Sequence, residues 1–178
     1  MSGGMNGCGM KRTLLIVSAL LLLTACGFRL RGSLPGLEDA KVFVEAPATE
    51  ESLLLTIQES IEQTEMTLVD SADAAEVLLR IDNARLTRRT QTVGEFGRAQ
   101  DYELILTVTF KLGALNQLSD QQPRSVDARR EYNFDNTDLL GKAEEEALLV
   151  REMQREIAAR LLRQVSYQAS ELKRADAR

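Results

Sequence analysis

Reactive side chains are scarce in this chain of 178 residues, and their types narrow the chemistry quickly. There is no His, which removes the commonest general base, proton shuttle and metal ligand. Without an imidazole, neither a Ser-His-Asp nor a Cys-His arrangement can be assembled. Both cysteines, Cys8 and Cys26, sit near the N-terminus, so the rest of the chain can form neither a disulfide nor a cysteine-rich metal site. The stretch VGEFG at 93–97 has two glycines but neither the spacing nor the following helix of a phosphate loop. Acidic pairs such as Asp70/Asp73 and Glu144/Glu145 are expected by chance among 27 acidic residues, and they read as solvated surface or helix start. No catalytic residue, metal or bound cofactor is expected.

The basic residues are more informative. Arg85, Arg88 and Arg89 approach the end of one predicted strand, and Phe96 and Arg98 lie in the loop after it. Arg129 and Arg130 fall on a later strand, and Lys142 stands at the start of a predicted helix. Arginine offers forked hydrogen bonds to phosphate and lysine a point charge. In a three-strand meander, Arg89, Arg98 and Lys142 can converge at one end of the sheet. Arg129 and Arg130 read as strand arginines paired with neighbours such as Glu131 or Asp127. A general nucleic-acid footprint is not expected. The formal charge is −5, and because two of the 22 basic residues and no acidic ones precede Cys26, a chain starting there carries 20 against 27, or −7.

The N-terminus reads as an address. Lys11 and Arg12 precede eleven mostly apolar residues, Thr13 to Leu23, followed by the small residues Thr24 and Ala25. This is the pattern of a secretory signal. Eleven helical residues reach about 16 Å, well short of the roughly 30 Å bilayer core. Leu23-Thr24-Ala25-Cys26 resembles a bacterial lipobox, which makes Cys26 the expected first mature residue and a lipid attachment point. Each buried methylene contributes about 0.8 kcal/mol, so several acyl chains on one cysteine hold a protein to a membrane nearly permanently. Aspartate after the cysteine resembles an inner-membrane retention signal, so Gly27 favours the outer membrane. The organisation is therefore a signal peptide over 1–25 (1–9 reading as an upstream start), a lipidated tether over 26–40, one domain over 41–170 and a tail over 171–178.

Within that domain, hydrophobic period assigns the elements. KVFVEA at 41–46 reads as a short strand stopped by Pro47. Thr49 is the expected N-cap of a helix over 50–64, where Leu54, Ile57 and Ile61 recur at helical spacing. MTLVD at 66–70 reads as a short extended return. A strand over 77–90 switches apolar phase near Asp82-Asn83, which predicts a β-bulge. Alternation over 101–113, broken by Ile105, predicts a strand with one covered face. A further strand spans 126–135, with Arg130 interrupting its apolar side. A helix over 142–169 follows, with Glu144, Glu145 and Glu146 placed at its positive end. The expected fold is α+β, a two-layer sandwich of two helices on one face of a mostly antiparallel four-stranded sheet.

Three stretches carry a family resemblance. CGFRLRG directly after the lipobox, DYELILTVTF at 101–110, and FDN followed by a helix containing VREM resemble LptE, the lipopolysaccharide-assembly lipoprotein family of Gram-negative outer membranes. The resemblance implies a non-enzymatic lipoprotein lodged in the lumen of an outer-membrane β-barrel, LptD, as a heterodimer, anchored by its lipid and facing the periplasm. Plug and barrel would insert lipopolysaccharide into the outer leaflet, and the plug would also help the barrel assemble. It carries a lipopolysaccharide-contacting basic residue onto Lys142. A second family basic position aligns with Glu95, so Arg98, three residues later, stands as its substitute, and Arg89 joins them by position. The alternative is an auxiliary envelope lipoprotein that acts only as a protein scaffold.

Overall fold

Period-two alternation builds most of the molecule, and period-3.6 stripes build its cover. The computed structural model describes residues 40–93, 99–133 and 139–176. The signal segment, Cys26 and most of the tether, the loop residues Phe96 and Arg98, and the FDN stretch lie outside the described residues. In chain order the elements are β1 (Lys41–Glu45), α1 (Glu51–Glu62), β2 (Thr67–Leu68), β3 (Val77–Val93), β4 (Ala99–Gly113), β5 (Arg124–Asn133) and α2 (Leu139–Asp176).

The strands form one mixed sheet in the order β2-β1-β3-β4-β5. β1 runs parallel to both β2 and β3, with α1 as the crossover from β1 to β2. β3, β4 and β5 are an antiparallel meander. The sheet has one strand more than expected, because the extended return becomes a two-residue strand. Backbone N–H groups of Thr67 and Val69 donate to Ala40 and Val42, each at 3.0 Å. The register between β3 and β4 slips between Ile81 and Asn83, leaving Asp82 as the extra residue of a bulge at the expected place.

That bulge keeps one face of β3 apolar. Val77, Leu79 and Ile81 point into the core before it, and Ala84 packs against the core after it. β4 contributes Leu104, Leu106, Val108, Phe110 and Leu112 to the same face, and β5 contributes Val126, Ala128 and Tyr132. α1 covers this face with Leu53, Ile57 and Ile61. α2 covers it with a longer stripe that includes Met153, Ile157, Leu161 and Val165. No buried side-chain polar atom among the described residues lacks a hydrogen-bond partner.

The other sheet face carries no helix layer among the described elements. Cross-strand rows on it read Arg85-Thr107-Asp127, Thr87-Ile105-Arg129 and Arg89-Glu103-Glu131. Polar side chains bridge the strands there, Gln91 donating to Glu131 at 3.0 Å and Asn133 to Asp101 at 2.9 Å, while Arg129 Nε donates along β5 to Asp127 at 3.0 Å. At one end of this face the 3₁₀ turn Leu115–Asp120 packs on β3 and β4 and buries Leu118.

Local differences from the expected boundaries have physical causes. Thr49 is not the cap of α1; Pro47 opens a 3₁₀ turn, Ala48–Glu50, and Glu50 takes the cap position without a side-chain bond. α2 starts at Leu139, so the glutamates at 144–146 fall in its second turn, and Lys142 ends its first. The helix also runs on to Asp176, through most of the segment expected as a tail, because Ala169 and Leu172 continue the apolar stripe. Phe110 is 0% exposed at the centre of the sheet. Phe110→Ala is expected to cost about 3–5 kcal/mol, measured as a lowered urea midpoint with an unchanged slope.

Candidate functional site

Two residues on the apolar side of the meander are charged or polar enough to demand partners across the layers. Arg88 occupies an inward position on β3, opposite Leu104, and Tyr132 occupies one on β5, opposite Tyr102. Both reach Glu146, in the second turn of α2. The Arg88 guanidinium and the Tyr132 hydroxyl donate to the same Glu146 oxygen, the hydroxyl at 2.5 Å. Arg88 also lies over the Tyr102 ring at 5.4 Å, and the Tyr102 and Tyr132 rings stack at 5.8 Å. One carboxylate thus ties β3 and β5 to the start of the long helix, and the Tyr102 ring of β4 packs against both of its partners.

The electrostatics of this cluster are those of a lock rather than an acid–base pair. Partial burial alone would raise the Glu146 carboxyl, but the hydrogen bonds from Arg88 and Tyr132 outweigh it and hold the group below its ordinary range. Burial, then the bond to Glu146, pushes the Tyr132 hydroxyl up to about 12. The hydrogen bond to Glu146 likewise raises Arg88. All three groups keep one protonation state across the physiological range, so none is poised to exchange a proton with a substrate.

Two further ties fasten α2 along β5. Arg130, also at an inward position, pairs with Glu156 at 2.9 Å and lies 3.9 Å from Glu152. Arg160 donates to the Asp127 carbonyl at 2.6 Å and to Glu156 at 2.5 Å. Arg130 therefore pairs across the layers rather than with its strand neighbours, while Arg129 pairs on the open face with Asp127 and lies 3.8 Å from Glu103. Sequence reasoning missed these ties. Their signal was available: an arginine at an inward strand position requires a carboxylate from the covering helix.

The expected contact residues do not form one cluster. Lys142 is half-buried at the start of α2, and its Nζ donates to Glu145 at 2.7 Å. Arg89 has the opposite strand parity to Arg88, so it projects from the open sheet face, exposed, beside Glu103. Arg89 and Lys142 thus lie at the same end of the sheet but on opposite sides of it, and the expected convergence of the two does not occur. Cys26 and Arg98 lie outside the described residues. Beside the lock runs an open groove of about 390 Å³ whose walls include Ser52, Arg88, Val150, Arg151 and Gln154. Among the described residues no group of acidic residues could hold a metal ion, and no helix is long and apolar enough to cross a membrane.

Removing the shared carboxylate should be costly. Glu146→Ala leaves the buried Tyr132 hydroxyl without its acceptor and frees the exposed Arg88 guanidinium, and is expected to destabilise the fold by about 1–3 kcal/mol, mostly through Tyr132. Amide exchange should rise first in the opening turns of α2. The pH dependence follows from the two shifts. Glu146 is depressed, so its contribution is complete above the ordinary 4.5 and is lost as pH falls through its lowered value. Tyr132 is raised, so its contribution is complete below pH 10.0 and is lost between there and about 12. The alkaline loss should shrink in Tyr132→Phe, measured by denaturant titration at each pH.

Comparison with known proteins agrees with this architecture. The family model described as LptE, lipopolysaccharide-assembly, matches residues 40–165. A protein of Pectobacterium atrosepticum named LPS-assembly lipoprotein LptE is 26% identical over 166 residues, covering 86% of this chain and 83% of its own. One of the same name from Yersinia pestis is 30% identical over 165 residues, covering 90% and 78%. Among solved structures, the rare lipoprotein B of Shewanella oneidensis superposes with a TM-score of 0.65 at 26% identity, covering 75% of this chain and 98% of that one. A lipoprotein B of Nitrosomonas europaea gives 0.64 at 28%, covering 79% and 90%. With the matched segment reaching from the start of β1 into the second half of α2, the chain belongs to the LptE family of lipopolysaccharide-assembly lipoproteins.

Proposed function

We propose that this chain is a lipid-anchored outer-membrane lipoprotein that plugs the LptD β-barrel, helps it assemble, and takes part in inserting lipopolysaccharide into the outer leaflet. The anchor is the acylated Cys26, after removal of 1–25, and Gly27 directs the protein outward. The role is non-catalytic. The observation that carries the reading is the open sheet face: three long strands with largely polar rows and no helix layer over them among the described elements. A barrel lumen is polar, and a plug needs a wide face of this kind to meet it.

Lys142 is the proposed lipopolysaccharide contact on the helix side, oriented by the Glu146 lock one turn later. Arg89 is a separate proposed contact on the open side, so the glycolipid would meet two surfaces at one end of the sheet; Arg98 is a further proposed contact by its place in the sequence. One observation favours the scaffold alternative: on the open face Arg129 is already paired internally, as a protein-facing surface would have it.

The protein is expected to copurify with a large barrel protein from gently solubilised outer membranes. A photo-crosslinking residue at Lys142, Arg98 or Arg89 should capture lipopolysaccharide. Recovery as a free monomer would contradict the plug. Intact barrel binding with no capture at any of the three positions would favour the scaffold.

A further inference from the structure

A second groove lies far from Lys142, between the start of β5 and the C-terminal half of α2. It encloses about 380 Å³. Arg124 enters it from β5, and Arg160, Arg163, Gln164, Tyr167 and Gln168 line it from α2. The helical five recur at i, i+3, i+4, i+7 and i+8, which places them on one face. Arg163 stands 21 residues beyond Lys142, about 32 Å along the helix. No acidic residue lines the groove, in a chain whose formal charge is −5.

Two of its three cations have no carboxylate partner among the described residues. Arg124 is exposed, lies over the Phe110 ring at 5.3 Å, and has no carboxylate within ion-pair distance among the described residues. Arg163 is exposed and likewise has none among them. Arg160 is fixed by the Asp127 carbonyl and Glu156. Tyr167 is 66% exposed, so its ring is open to a ligand in the groove.

We infer that this groove is a second anion-recognition site, one that takes a phosphorylated saccharide. Arg124 and Arg163 present free guanidinium forks that match phosphate oxygens. The Tyr167 ring offers an apolar platform to the carbon face of a sugar, and its hydroxyl stays wet. Gln164 and Gln168 carry the donor and acceptor pairs that sugar hydroxyls require. The cationic groove stands on its own geometry. The choice of a phosphosugar rests on the glycolipid reading above, whose headgroup would then be gripped at both ends of α2.

The test uses the full chain in mild detergent, titrated with glucose 1-phosphate, inorganic phosphate and glucose while NMR follows the Tyr167 ring and the arginine side chains. Glucose 1-phosphate is expected to bind saturably and more tightly than phosphate, with glucose silent. Arg124→Ala and Arg163→Ala should each weaken binding about tenfold, and Lys142→Ala should not. No shift at Tyr167, or equal binding of phosphate and glucose 1-phosphate, would overturn the inference. In native membranes, a photo-crosslinking residue at Gln168 should capture lipopolysaccharide. Capture at Lys142 with silence at Gln168 would overturn this site alone, whereas silence at both would overturn the glycolipid reading beneath it.

Discussion

Asp82 is one residue more than β4 can match, and the layers of the domain are arranged around that mismatch. Side chains alternate along a strand, so an extra residue returns the following ones to the opposite parity. β3 presents Val77, Leu79 and Ile81 on odd positions, then Ala84, Leu86 and Arg88 on even ones, all to the helix side. Without the bulge, Ala84 would leave the core and Arg88 would turn to the open face, away from Glu146. The start of α2 would then lose its tie to β3, and Tyr132 would share its carboxylate with no cation. A single irregularity in a strand of 17 residues thus decides where a helix of 38 residues is fastened.

The helix in turn divides the molecule into two unlike sides. α2 reaches about 57 Å at 1.5 Å per residue and is tied at three levels, through Glu146, Glu156 and Arg160. These ties supplement the apolar stripe, which alone would leave the helix free to slide along a surface of similar aliphatic residues. Their cost is three inward or edge arginines, each needing a fixed acceptor. Among the described elements the opposite side of the sheet has no such cover, and some of its polar side chains bond across strands. A protein with one side closed by helices and the other broad and polar suits the proposed contact with a polar wall.

Much of this was legible in the residues. Alternation at 101–113 located β4, and the phase switch at Asp82-Asn83 located the bulge, because both follow directly from pleat geometry. The family was legible in CGFRLRG and DYELILTVTF. Less legible were features that depend on partners distant in sequence. Arg130 looked like a flaw in an apolar face until Glu156 was placed above it. Arg89 and Lys142 looked convergent because both belong to one end of the sheet, and sequence order says which end an element reaches but not which face a helix covers. The cap of α1 was misplaced because Pro47 starts a 3₁₀ turn before the helix begins, and a turn of three residues leaves no periodic trace.

In the proposed assembly the open face of β3, β4 and β5 is a contact surface in the envelope. The described residues contain no cysteine, so Thr87→Cys places a unique thiol among them, on an exposed position of that face. Its rate of maleimide labelling can be compared between the isolated protein and intact outer membranes. Rapid labelling is expected in isolation and strong protection in the membrane. Equal rates in both would contradict it.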